Sequence, residues 1–127
     1  MSCKRKILLV EPEPASSCMI TMILKLNHFE VVPYSDPELA LSDFKKGEYD
    51  LILMVLDMKG MNGFELYKSM RQIDDKVRVC FMTDLRARHI NEFRTSFPDF
   101  PSTSLVEKPV GTDDLLEILR LNLGDNK

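Results

Sequence analysis

"LILMVLDMKGMNGFEL", residues 51–66, opens as an unbroken apolar run and ends in a turn followed by helical spacing. Asp50 leads the run and Gly63 lies in the turn. Apolar residues with no alternation over 50–55 predict a strand buried on both faces, the kind that parallel sheets bury between helices. The rest of the chain fits that frame. "RKILLV" (5–10) is a second buried strand. A helix follows over 15–27, with Pro14 in its first turn and Met19, Met22, Ile23 and Leu26 on one face, taken as the buried one. "FEVVPY" (29–34) is a short strand, and Pro33 places it at a sheet edge. "SDPELALSDFKKG" is a helix started by Ser35 or Asp36, with Pro37 at its first position and Gly47 at its stop. "NGFELYKSMRQI" is a helix and "VRVCFM" (77–82) a strand. Residues 84–97 carry Ile90, Phe93 and Phe97 on one helical face. "TSLVE" (103–107) is a fifth strand, and Thr112 caps a last helix over 113–122. Strand and helix alternate five times, which predicts an α/β fold with a parallel sheet and helices on both faces.

Composition bounds the function. The chain has 127 residues, enough for one domain with one core. Residues 5–122 form that core and 123–127 a polar tail. A net charge of −3 argues against nucleic acid as a partner. No apolar run reaches the ~18 residues of a membrane span, and "MSCKRKILLV" is too short for a signal-peptide core. Cys3, Cys18 and Cys80 are odd in number and widely spaced, so neither a disulfide framework nor a CxxC metal site is present. Cys18 and Cys80 read as buried thiols in a reducing cytoplasm, Cys3 as exposed, and His28 and His89 as solvated or structural.

A sheet of this kind binds ligands beyond the carboxyl ends of its strands. Four loops lie there: "EPEP" (11–14), "LDMKGMNG" (56–63), Thr83 with Asp84, and "EKPV" with Lys108. Acids, a hydroxyl and a lysine at one edge point to phosphate and a divalent cation. No GxGxxG or GxxxxGK[ST] follows any strand, which leaves a nucleotide or flavin binder without support.

These residues, with "ILLV", "YDLIL", "MNGFEL", "VCFMT" and "EKP" in this order and at these separations, resemble the receiver domain of two-component response regulators over residues 5–122. The resemblance implies a doubly wound, flavodoxin-like three-layer fold with strand order 2-1-3-4-5. It implies Mg²⁺ binding and transfer of a phosphoryl group from a histidine kinase to an aspartate at the end of the third strand. Thr83 matches the hydroxyl that contacts the phosphoryl group, and Lys108 the lysine that contacts it from the other side. "EPEP" aligns without gaps on the acidic loop, so Glu11 falls on the first metal-binding acid and Pro12 on the second. Asp84 falls where the family prefers a small residue, and Leu105 where many members carry a switching aromatic. Arg86, Arg88, His89 and Arg94 form a charge run of the kind that is usually a solvated face; the resemblance implies instead that they belong, with Leu105, to the fourth helix–fifth strand–fifth helix face through which receivers bind partners or a second copy.

The acceptor position departs from the pattern. The acceptor normally stands five residues after the leading Asp and eight before the loop glycine. Counting forward from Asp50 and back from Gly63 reaches the same residue, Val55. Asp57 is two positions later and serves as acceptor only if the strand gains two residues and the loop loses two. Val55 has no nucleophile, and Pro12 has no side-chain oxygen. Glu11, with the backbone near Asp57, is left to hold Mg²⁺. The expectation is a stand-alone, cytoplasmic, non-enzymatic receiver with a degenerate site, no cofactor, and a signalling protein or histidine kinase as partner. Thr83, Asp84 and Lys108 are then remnants of a phosphate pocket. The alternative is a Mg²⁺-dependent receiver that phosphorylates itself on Asp57.

Overall fold

The computed structural model describes residues 5–55, 63–83, 105–107 and 112–123. Its elements are β1 (Lys6–Val10), α1 (Pro14–Leu26), β2 (Glu30–Tyr34), α2 (Pro37–Asp43), β3 (Leu51–Val55), α3 (Gly63–Ile73), β4 (Arg78–Thr83), β5 (Leu105–Glu107) and α4 (Thr112–Leu123). The five strands form one parallel sheet in the order β2-β1-β3-β4-β5. This is the doubly wound α/β arrangement that the sequence implied. The helix expected over 84–97 lies outside the described residues.

The central strands are apolar because both of their faces are covered. Ile7–Val10 and Leu51–Met54 are fully buried, and Cys80, Phe81 and Met82 join them from β4. Right-handed crossovers put α1 on one face, and α2 and α3, whose connections run the other way across the sheet, on the opposite face. α2 and α3 pack against each other, α1 packs on β1 and β2, and α4 packs on β4. Tyr67 of α3 meets the Phe81 ring edge-on, with centroids 5.7 Å apart.

Pro33 sits where its missing N–H costs least. Glu30 and Tyr34 turn their backbone groups toward β1, through Glu30 N–H to Arg5 O (2.9 Å) and Glu11 N–H to Tyr34 O (3.0 Å). Alternate residues point the other way, so Pro33 faces the free edge of the sheet, where no ladder bond is lost and a further strand finds no donor.

Three sequence expectations are corrected. The buried face of α1 is Ile20 and Leu24, with Ile23 packed against the core, whereas Met19, Met22 and Leu26 are exposed. Both sets have helical spacing in a helix that is apolar on nearly all sides, and packing on β1 and β2 buries Ile20 and Leu24. Cys18, one position from Met19, is exposed with it, not buried. α2 stops at Asp43 instead of running on to Gly47. Phe44 leaves the helix at φ −69° and ψ 134° to enter the core, where it stacks on Tyr49 with centroids 5.8 Å apart. Gly47 then serves the following loop at φ +77°, a conformation that costs glycine least. The start of α2 is as expected: Asp36 is the N-cap, accepts from Glu38 N–H at 3.0 Å, and precedes Pro37.

The edge of the sheet opposite the strands' carboxyl ends is tied by polar contacts. Lys6 contacts Glu48 and lies 3.8 Å from Glu30. Asp74 accepts from Gly47 N–H and Lys76 N–H, both at 3.0 Å, and so fastens the loop before β3 to the one before β4.

Candidate functional site

The strands end at Val10, Val55, Thr83 and Glu107, and the topology brings these ends to one edge. Register fixes their relative levels. Val10 pairs with Met54, so Glu11, the next residue, stands level with Val55. Val55 pairs with Met82, and Thr83 with Glu107. Thr83 is therefore one residue beyond the level of Val55. β3 keeps an unbroken register with β1 over Leu51–Met54 and with β4 over Leu51–Val55.

Glu11 is 2% exposed, an unusual burial for a carboxylate. Its backbone N–H is held by Tyr34 O. Its Oε2 accepts from Glu13 N–H at 3.2 Å, which closes the turn from β1 into α1. Glu13 in turn accepts from the Ser16 hydroxyl at 2.7 Å. Pro12, between them, brings no side-chain oxygen. Val55 is 7% exposed and belongs to the core.

The edge thus brings together Glu11, Pro12, Val55 and the backbone of Thr83. Leu105 takes its place in β5, opposite Phe81. Asp57, Asp84, Lys108, Arg86, Arg88 and Arg94 lie outside the described residues. Cys80 is fully buried in β4, and that burial pushes its thiol up to about 12, so it is no nucleophile.

No helix among the described residues is long and apolar enough to cross a membrane. Nor do three or more His, Cys, Asp or Glu among them cluster to hold a metal.

The comparisons with known proteins agree with this geometry. The chemotaxis protein CheY of Bacillus subtilis is 29% identical over 121 residues, spanning 93% of this chain and 97% of that protein. The sporulation initiation phosphotransferase F of the same organism is 28% identical over 78 residues, 61% of this chain and 63% of that protein. Among solved structures, Vibrio cholerae CheY4 superposes with a TM-score of 0.82 at 21% identity, covering 94% of this chain and 99% of that one. The receiver domain of the sensor histidine kinase PA1611 from Pseudomonas aeruginosa, solved with magnesium in its cleft, gives 0.82 at 22% identity, covering 96% and 99%. At such identities the structures show a shared fold. The family model for the response regulator receiver domain matches residues 7–120, and the chain belongs to that family.

Proposed function

We propose that this receiver domain of two-component signalling works without aspartyl phosphorylation, as a protein-interaction module. The observation that carries the reading is Val55. It is the last residue of β3, level with Glu11, and buried. A valine at this point offers no nucleophile to a phosphoryl donor. The unbroken β3 register supports counting from Asp50, which makes this the acceptor position.

Magnesium, which the family implies, fits the described residues poorly. Such a site holds the ion through one or two carboxylates, backbone oxygen and water. Pro12 and Val55 supply no side-chain oxygen, and the Glu11 carboxylate already accepts from Glu13 N–H. Receiver domains engage histidine kinases and other signalling proteins, and this chain keeps the framework for that role. The family resemblance supports partner contacts at Arg86, Arg88, Arg94 and Leu105.

The test is intact-protein mass after incubation with acetyl phosphate and Mg²⁺, with Asp57→Asn alongside. No phosphoryl adduct is expected on either protein. An adduct on the wild type that is lost in Asp57→Asn makes Asp57 the acceptor and the domain a working phosphorelay switch.

A further inference from the structure

The outward face of α1 is an apolar stripe that the fold leaves uncovered. Ala15, Met19, Met22 and Leu26 are four, three and four residues apart, which puts them within about 60° of each other around the helix axis. Met19, Met22 and Leu26 are 51%, 57% and 73% exposed, and Ala15 is exposed too. Lys25 is the one charged residue between Pro14 and Leu26. Single exposed apolar side chains are ordinary, but a continuous stripe of them marks an interaction surface. The four positions alternate as a and d positions of a heptad do, the pattern of a helix–helix seam. Met22 and Leu26 also line a groove of about 670 Å³ between α1 and the β2 edge, so the surface beside the seam is concave.

The spacing reads the same in both directions, and this selects the occupant. Two copies of α1 can lie antiparallel about a two-fold axis that passes midway between Ile20 and Thr21. Ala15 of each copy then stands level with Leu26 of the other, and Met19 with Met22. The smallest side chain of the stripe meets the most exposed one, and flexible methionines meet each other. Charge selects the direction. Exposed Glu13 precedes the helix and exposed Lys25 lies in its last turn. A parallel pair sets acid beside acid and base beside base. The antiparallel pair sets Lys25 of each copy within one helical turn of the level of the other's Glu13, and opposes the two helix dipoles.

We infer that α1 is a self-association face, through which two copies of this chain pair antiparallel along Ala15, Met19, Met22 and Leu26. The contact is isologous, each copy giving the same patch. Four residues a side fall well short of the roughly 800 Å² per partner of a standard interface, so the pairing is weak and concentration-dependent. It does not depend on acceptor chemistry.

Sedimentation velocity from about 10 μM to about 1 mM at low salt tests it, over the range expected of a weak interface. The wild-type weight-average coefficient should climb from the monomer value toward that of a dimer. Met22→Glu should remain monomeric throughout with an unchanged far-UV spectrum, since the side chain is exposed. Met19→Lys should do the same. The double variant Met19→Lys/Met22→Glu should regain the dimer, because each new ammonium faces the other copy's new carboxylate. A wild type monomeric at every concentration overturns the proposal. So does self-association that Met22→Glu leaves intact, which assigns the dimer to another face. A double variant that stays monomeric overturns the antiparallel register.

Discussion

Asp50 and Lys6 exchange two hydrogen bonds at the start of the β1–β3 ladder. The Asp50 amide donates to Lys6 O at 2.8 Å, and the Asp50 carboxylate accepts from Lys6 N–H at 2.7 Å. The acid that leads the strand therefore sets its register as well as ending the loop before it. Asp50→Ala removes the carboxylate bond and leaves the ladder. It should lower unfolding free energy by about 1 kcal/mol, read as a shifted urea midpoint with an unchanged m-value.

Five residues after that anchor stands Val55, 7% exposed against buried Met82. Val55→Asp puts a carboxylate into this apolar setting. Burial there disfavours the ionised form and raises the folded-state pKa above the unfolded one. The penalty is small below about pH 4, where the carboxyl is protonated in both states, and grows as pH rises. At pH 7 without Mg²⁺ it should reach at least about 2 kcal/mol. A thermal midpoint that rises in Mg²⁺-free buffer contradicts this, and would mean that a cation of the protein already waits for an acid there.

The same register shows why the strands and the acceptor position could be read from sequence while one helix face could not. Leu51–Val55 is apolar at every position because helices cover both sides of the sheet, so the strand, its level and its count from Asp50 were legible together. α1 is also apolar on nearly all sides, but there the pattern is ambiguous. Ile20 and Leu24 repeat as helically as Met19 and Met22, and no run of charges marks the wet side. Only the sheet beneath the helix decides, and it buried the pair that spacing alone had not favoured. The end of α2 departs from the sequence pattern for a related reason. Gly47 is a good stop signal, yet the core draws Phe44 out of the helix first. At the site, Glu11 and Val55 could be placed by counting. The burial of Glu11, which follows from its turn to Glu13, left no mark in the sequence pattern.

Asp74 supplies the pH dependence. It is 5% exposed, and its carboxylate accepts from the Gly47 and Lys76 amides. Donation from Gly47, set against the cost of burial and aided by Lys76, holds its carboxyl below the usual range. A folded-state pKa below the unfolded one gives stability that is fully present above the ordinary carboxylate pKa of about 4. It is lost as pH falls through the lowered value. Asp74→Asn should therefore be less stable than wild type by about 1–2 kcal/mol at pH 7. The gap should narrow on acidification below about pH 4. Urea titrations from pH 7 to 3 measure it, and a gap that widens toward acid contradicts the assignment.

The two described cysteines should separate cleanly by reactivity. Cys18 is exposed on α1, while Cys80 is fully buried in β4 with its thiol pushed up to about 12. Brief iodoacetamide treatment of the native protein, read by peptide mapping, should label Cys18 and spare Cys80. Both should label in denaturant. Labelling of Cys80 at the native rate of Cys18 would mean that β4 opens far more readily than its central place in the sheet allows.

Thr21 offers a gain in stability. Its Oγ1 is buried and has no hydrogen-bond partner among the described residues. A hydroxyl removed from water and left unpaired carries a desolvation cost that the folded state never recovers. Valine has nearly the same shape without the hydroxyl, and its helix propensity is close to that of threonine. Thr21→Val should raise unfolding free energy by about 0.5–1 kcal/mol, with an unchanged m-value in urea. A loss of stability instead would show that the hydroxyl is satisfied in solution, with water entering from the groove that Thr21 lines.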